Sequence, residues 1–149
     1  MNVIDFLLGE HAVLRTLFGH LERQRPRWTA AEIRSAGQYL ESLLAPHALL
    51  EDELLFDALP AQDVQLETVL AAMTDEHRRM GQLLSVVREV EDDLEARRLL
   101  GEVLDLTREH FEVEERVLFT LAAQSLGPAR LHALAQEWAR RRLLAAPVV

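Results

Sequence analysis

Apolar residues recur along this chain at intervals of three and four positions, the spacing that places side chains on one face of an α-helix. β-branched residues are few, and no segment sustains the alternation of apolar and polar residues that a half-buried strand requires. The clearest stripes are Leu40, Leu43, Leu44, Leu50, Leu54 and Leu55 in one segment and Val103, Leu106, Val113, Val117 and Leu118 in another. The pattern therefore predicts an all-α protein.

Helix breakers and capping residues divide the chain into five predicted helices. The breaks fall at Pro26, at Pro60, at the Asp92–Asp93 turn and at Gly127–Pro128. Thr29 and Glu32 have the spacing of a capping box at the start of the second helix, and Pro46 predicts a kink within it. The predicted helices run from about 3 to 23, 30 to 59, 63 to 91, 94 to 124 and 128 to 144, and the tail from 145 to 149 is expected to fray.

Four long helices with short connections predict an up-down-up-down antiparallel four-helix bundle with a short extra C-terminal helix. At 149 residues the chain suits a single domain, in which the bundle takes up about residues 3–124. The C-terminal helix, which contains Trp138, is expected either to cap the bundle or to form the contact of a homodimer. The sequence leaves these two alternatives open.

Composition narrows the range of functions. The formal net charge is −9, which disfavours a nucleic-acid partner. The absence of cysteine excludes disulfides, thiolate metal sites and thiol catalysis. No segment approaches the roughly 18 continuous apolar residues of a membrane helix, and the N-terminus does not have the pattern of a signal peptide. We therefore expect a cytoplasmic protein with no membrane partner.

One short motif occurs twice and carries the candidate chemistry. His47 and Glu51 are four residues apart, and so are His110 and Glu114; in each copy an acidic residue follows the glutamate and a Leu-Phe pair closes the segment. Residues i and i+4 lie on one face of a helix, and here that face also carries the apolar residues. The repeat therefore predicts imidazole and carboxylate groups that point into a helical core, where a metal ion is a suitable partner.

The positions of the predicted turns bring four histidines to one level of the bundle. His11, His47, His77 and His110 fall one to a helix. In an antiparallel hairpin, two residues lie at equal height when the turn is midway between them. The three midpoints fall at position 29, at position 62 and between positions 93 and 94, each at a break that caps and prolines predict independently. We therefore expect one layer that contains all four imidazoles.

Four histidines and two glutamates in one layer form a candidate transition-metal site. Imidazole suits iron, copper, nickel and zinc, and a carboxylate can bridge two ions. Six ligands exceed what one tetrahedral zinc takes, so two metal ions are expected. The predicted ligands are His11, His47, Glu51, His77, His110 and Glu114.

Three further acids, Glu10, Glu76 and Glu109, each precede a candidate ligand histidine. Because adjacent helical residues diverge by about 100°, these acids are expected to face solvent or the boundaries between helices. His20 and His132 are expected at the surface. Met73 and Met80 are expected to be core residues.

From about Phe6 to Ala122 the sequence resembles the hemerythrin-like (HHE cation-binding) family. The resemblance rests on one histidine each in the first and third helices and on His-x-x-x-Glu in the second and fourth. It implies a four-helix bundle with a non-haem di-iron centre, in which the six residues above are iron ligands and Glu51 and Glu114 bridge the ions. Zinc and manganese are alternatives to iron.

The chain departs from the oxygen carriers of that family at Gly81, where the carriers have a second histidine, and at the His110–Glu114 spacing. The four-histidine, two-glutamate pattern is closer to that of the bacterial iron-sulfur centre repair proteins, but this chain has no cysteine. The resemblance implies a protein that binds or senses dioxygen or nitric oxide, or that handles iron under oxidative or nitrosative stress. The alternatives are a di-iron enzyme that reduces peroxide, dioxygen or nitric oxide and, more remotely, a metal-free interaction bundle.

Overall fold

The computed structural model of the protein describes residues 1–60 and 64–145, with side chains described up to residue 142. Within these ranges the chain is helical and contains no strand. The α-helices are α1 (Val3–Gln24), α2 (Ala30–Leu50), α3 (Val64–Glu89), α4 (Asp93–Val113) and α5 (Phe119–Ala145). A 3₁₀ turn at Arg25–Arg27 follows α1, and π-helical turns at Glu51–Phe56 and Glu114–Leu118 follow α2 and α4.

Capping residues start the helices where the sequence predicts them. The Thr29 hydroxyl accepts a hydrogen bond from the Glu32 amide, and the Glu32 carboxylate accepts one from the Thr29 amide. Asp92 caps α4 by accepting from the Glu95 amide. The capping box before α2 is therefore confirmed. The predicted start of the third helix at 63 and the predicted fraying of residues 146–149 lie outside the described residues.

Gly127 separates α5 into two parts. Its φ of 69° lies in the left-handed region, which a glycine adopts without the steric cost of a Cβ atom, and Pro128 follows it. Residues 119–126 continue the fourth helix of the bundle. Residues 128–145, here called the C-terminal segment, form the predicted extra helix.

The helices pack as a four-helix bundle. α2 packs against α3 and α4, α3 packs against α4, and α1 packs against α4 and α5. Trp138 of the C-terminal segment is 1% exposed, because it belongs to an apolar core cluster that includes residues of all four bundle helices. The segment therefore caps the bundle, which is one of the two roles that the sequence left open. Val113 departs from its predicted stripe and is 37% exposed.

Two apolar clusters fill the core, and the histidine layer lies between them. The first cluster contains Val3, Leu7, Leu54, Leu55, Leu66, Met73, Leu118 and Trp138, among others. The second contains Leu14, Phe18, Ile33, Leu40, Leu84, Leu100, Leu104 and Phe111, among others. The apolar residues that hold the bundle together thus leave one polar layer in its interior. Among the described residues, no helix is both long enough and apolar enough to cross a membrane.

Candidate metal centre

The structure brings all six predicted side chains into the layer between the two clusters. Five of them are buried, and the side chain of His77 is 6% exposed. Their donor atoms form two overlapping groups, each with all atoms within 4.8 Å of one another. The groups are His11, His47, Glu51 and Glu114, and Glu51, His77, His110 and Glu114.

Each group contains one pair of histidines whose Nε2 atoms face each other. The Nε2 atoms of His11 and His47 are 3.2 Å apart, and this pair is here called position one. The Nε2 atoms of His77 and His110 are 2.9 Å apart, and this pair is called position two. Imidazole nitrogens that converge in this way are suitable ligands for transition-metal ions.

Glu51 and Glu114 lie between the two positions. For Glu114, Oε2 is 3.5 Å from Nε2 of His11, while Oε1 is 3.0 Å from Nε2 of His110. For Glu51, Oε2 is 3.6 Å from Nε2 of His47 and 3.8 Å from Nε2 of His77. Each carboxylate therefore lies within 4.0 Å of at least one histidine of each position.

The carboxylate oxygens of Glu51 and Glu114 are buried, and none has a hydrogen bond of acceptable geometry to another described group. A buried carboxylate without partners is costly, on the order of several kcal/mol for an ion in a low-dielectric interior. These oxygens, together with the inward ring nitrogens, are a donor set that fits two transition-metal ions.

The two glutamates occupy equivalent places at π-helical turns. The turns Glu51–Phe56 and Glu114–Leu118 each begin at the glutamate. A π-helical turn widens the helix locally and is frequent at functional sites. Sequence periodicity treats these segments as uninterrupted α-helix, so the two turns are a structural finding that the pattern of apolar residues does not reveal.

Every histidine of the layer also contacts an acid on its outer side. In each case the Nδ1 atom lies within hydrogen-bonding distance of one carboxylate oxygen. The pairs are His11–Glu115 at 2.9 Å, His47–Glu10 at 2.7 Å, His77–Asp52 at 3.0 Å and His110–Glu76 at 2.7 Å. An Nδ1–H group that donates to a carboxylate fixes the tautomer, so that the Nε2 lone pair points inward.

Glu10 and Glu76 lie partly exposed at helix boundaries, as predicted, but their contacts with His47 and His110 were not predicted. Both acids reach across to the histidine of a neighbouring helix, because long side chains bridge the angle by which adjacent residues diverge. Glu109 has no such contact and is exposed, as predicted. A signal was present in the sequence: Glu10-His11 recurs as Glu76-His77, and an acid follows the glutamate in both copies of the His-x-x-x-Glu motif.

The phenylalanine that closes each motif stacks on a histidine of the other hairpin. Phe56 stacks on His77 with ring centroids 5.8 Å apart, and Phe119 stacks on His11 with centroids 5.7 Å apart. Phe111 also stacks on His11, with centroids 3.7 Å apart. These ring contacts restrict the orientation of the imidazole planes. They explain why the repeated His-x-x-x-Glu segment extends beyond the candidate ligands to its closing phenylalanine.

The protonation of the metal-free layer reflects its burial. Burial, followed by the neighbouring charge of Glu114, raises the pKa of Glu51 well above its ordinary value. Burial and the nearby His47 lower the pKa of His11 to about 4. For His110, burial acts to lower the pKa, but Glu114 and Glu76 outweigh it and raise the pKa to about 9. The metal-free layer therefore contains a cationic His110, a neutral His11 and a Glu51 that favours its protonated, uncharged form.

A cavity of about 270 Å³ opens between α2 and α3 and reaches the layer. His47, His77 and His110 contribute to its wall, as do Asp52 and Gly81. A Cβ atom added at Gly81 would meet nothing within 4 Å, so this glycine leaves space at the edge of the cavity.

The remaining residues that the sequence singled out lie where they were predicted. His20 and His132 are exposed. Met73 and Met80 are buried, 2% and 5% exposed, and Met80 accepts a hydrogen bond from the Thr107 hydroxyl. They are core residues and do not belong to either group of donor atoms.

Comparison with known proteins agrees with the donor set. The sequence model described as the hemerythrin HHE cation binding domain matches residues 2–122, which include all six candidate ligands and exclude the C-terminal segment. No curated protein and no solved structure matches the chain significantly.

Proposed function

Because the chain belongs to the hemerythrin HHE cation-binding domain family, we propose that it is a non-haem di-iron protein. Its function would be to bind or sense a small diatomic molecule, dioxygen or nitric oxide, or to handle iron under oxidative or nitrosative stress. The proposed ligands are His11, His47, Glu51, His77, His110 and Glu114, with zinc or manganese as alternative metals.

One observation carries this proposal: four buried carboxylate oxygens without hydrogen-bond partners lie among four inward ring nitrogens. A bundle that served only for packing or for protein interaction would gain stability from apolar residues at these places. Polar groups that cost stability in the metal-free protein are retained at functional sites. These carboxylates, buried without hydrogen bonds, therefore argue against the metal-free alternative.

When bound, two iron ions would supply open coordination positions and redox chemistry for a small molecule. The chain itself performs the tasks of binding, orientation and exclusion of water. Glu10, Asp52, Glu76 and Glu115 hold the four imidazoles in one tautomer. The apolar clusters on either side exclude water from the layer, except where the cavity between α2 and α3 reaches it.

A second candidate function is that of an enzyme that reduces peroxide, dioxygen or nitric oxide. The cavity favours this candidate, because its volume of about 270 Å³ holds a small substrate together with water molecules. Such reductions consume protons, which ordered water can deliver. Turnover of peroxide or nitric oxide by the iron-loaded protein, compared with free iron, distinguishes this enzyme from a binding protein.

Metal content and the visible spectrum test the main proposal. The protein is expressed in iron-rich medium, reduced, and exposed in turn to dioxygen and to nitric oxide. We expect two iron ions per chain and a spectral change with at least one gas. His47→Ala and Glu114→Ala should lose iron, whereas His20→Ala, at an exposed histidine, should keep it. Wild-type protein that contains no metal would defeat the proposal.

A further inference from the structure

The two positions of the layer differ in what surrounds their outer carboxylates. At position one, both carboxylates are paired with arginine. Glu115, which contacts His11, accepts a hydrogen bond of 2.6 Å from Arg15. Glu10, which contacts His47, accepts hydrogen bonds of 3.0 Å and 2.5 Å from Arg142. Position one is therefore backed by two guanidinium groups.

Position two has no such cations among the described residues. Its outer carboxylates are Asp52 and Glu76, which contact His77 and His110. Over residues 1–60 and 64–142, no arginine forms an ion pair or hydrogen bond with either side chain. The two halves of the bundle share the same arrangement of histidines and acids, and the arginines are what distinguishes them.

The arginines change the donor strength of the imidazoles. A carboxylate that accepts an Nδ1–H bond raises the basicity of the imidazole, and its own negative charge sets the size of that effect. A guanidinium bound to the same carboxylate offsets part of the charge. The outer carboxylates of position two therefore keep their full charge, whereas those of position one share theirs with arginine.

The C-terminal segment also covers position one. Trp138 is 1% exposed, and its ring lies edge-on to His47, with centroids 6.1 Å apart. On the other side of the same position, the ring of Phe111 stacks directly on His11. Aromatic rings thus pack against both histidines of position one, and the Arg142 guanidinium lies 5.6 Å from the centre of the Trp138 ring.

Position two lies beside the open cavity between α2 and α3. Both of its histidines contribute to the cavity wall, together with Asp52, whereas position one contributes His47 but not His11. The described wall contains the acids Glu41 and Asp52 but no arginine or lysine. Glu41 pairs with Arg88, which lies outside this wall, at 3.2 Å. The described wall therefore offers no guanidinium group that would hold an anion, which favours uncharged molecules.

We propose that the small ligand is an uncharged molecule, that it enters along the cavity beside Gly81, and that it is taken at position two, where both histidines line the cavity. Position one, which meets the cavity only at His47 and has arginines on its outer carboxylates, serves as its partner. This inference rests on the proposed di-iron function and specifies where that function acts. The C-terminal segment, which lies outside the matched domain, then acts on the centre through Glu10.

The test is nitric oxide binding to reduced, iron-loaded protein, measured by stopped-flow absorbance. Gly81→Phe fills the edge of the cavity, because an added side chain there meets open space. Gly9→Phe is the matched control: Gly9 is also an exposed helical glycine with open space around an added Cβ atom, but it lies beside a different hollow on α1. Ala45→Phe, on the opposite wall of the cavity, is a second closing variant.

We expect Gly81→Phe and Ala45→Phe to retain two irons and to bind nitric oxide more slowly, on the order of tenfold, with Gly9→Phe unchanged. Iron-loaded Gly81→Phe and Ala45→Phe proteins that bind nitric oxide at the wild-type rate would overturn the inference and leave the di-iron function standing. Wild-type protein without iron would overturn both. Nitrite, which is anionic, should bind more weakly than nitric oxide in the wild type, and the reverse order would contradict an uncharged ligand.

Discussion

The indole Nε1 of Trp138 donates a hydrogen bond of 3.1 Å to Oε1 of Glu10, 128 positions earlier in the chain. The other oxygen of the same carboxylate contacts Nδ1 of His47 at 2.7 Å. Burial raises the pKa of Glu10, but His47 and Arg142 outweigh that effect and hold it at about 2. A helix outside the matched domain is thereby connected to a candidate ligand through one ionised carboxylate.

Removal of the Glu10 charge should weaken metal binding. Glu10→Gln loses the carboxylate that orients His47, and loss of such an outer partner costs about 10- to 100-fold in affinity. Competition with a chromophoric chelator measures the affinity for whichever of the two metal ions is bound more weakly. Glu109→Gln is the control, because Glu109 also precedes a candidate ligand but is exposed. Equal affinities in the two variants would contradict the role of Glu10.

Replacement of Glu51 should stabilise the metal-free protein. Both oxygens of Glu51 are buried without partners, so Glu51→Met removes a desolvation cost of about 1–3 kcal/mol while it retains side-chain volume. Urea unfolding in the presence of a chelator measures the free energy of unfolding. Glu112→Met, at an exposed acid, should change it by less than about 0.5 kcal/mol. A metal-free Glu51→Met protein less stable than wild type would refute the prediction.

Metal binding should compete with protons. In the metal-free protein the pKa of His110 is raised to about 9, so His110 carries a proton at pH 7 that an incoming ion must displace. Apparent zinc affinity should therefore rise with pH between 6 and 9, by up to about tenfold per pH unit for each proton released. Chelator competition between pH 6 and 9 checks whether the zinc affinity rises with pH. Proton release on zinc binding is measured in weak buffer. An affinity independent of pH would count against His110 as a ligand.

Loss of the Arg142 charge should lower the reduction potential of the iron centre. Without the guanidinium, Glu10 exerts its full negative charge on His47, which favours the oxidised metal. Arg142→Met should shift the potential to more negative values, where a tenfold change in the redox equilibrium corresponds to about 59 mV. Arg140→Met is the control, because Arg140 pairs with Glu137 and has no contact with Glu10. An unchanged potential, or a shift to more positive values, would show that Arg142 has only a structural role.

The sequence by itself determined the bundle and the inward donor set. Helical periodicity identifies the face that each helix buries, and His47 and Glu51 share that face because they are one turn apart. Prolines and caps locate the turns, and antiparallel packing then places His11 level with His47. These relations are local or follow from hairpin symmetry, so they can be derived without coordinates.

Tertiary structure alone decided the outer contacts. Glu115 reaches His11 across 104 positions and Arg142 reaches Glu10 across 132, and no periodicity relates such residues. The π-helical turns that begin at Glu51 and Glu114 also cannot be predicted from an apolar pattern with the 3.6-residue period of the α-helix. The difference between the two positions depends on the outer contacts with arginine. Glu10 receives Arg142 through the packing of the C-terminal segment after the break at Gly127, and Glu115 receives Arg15 through the packing of α1. Both depend on packing, which is a property of the whole fold.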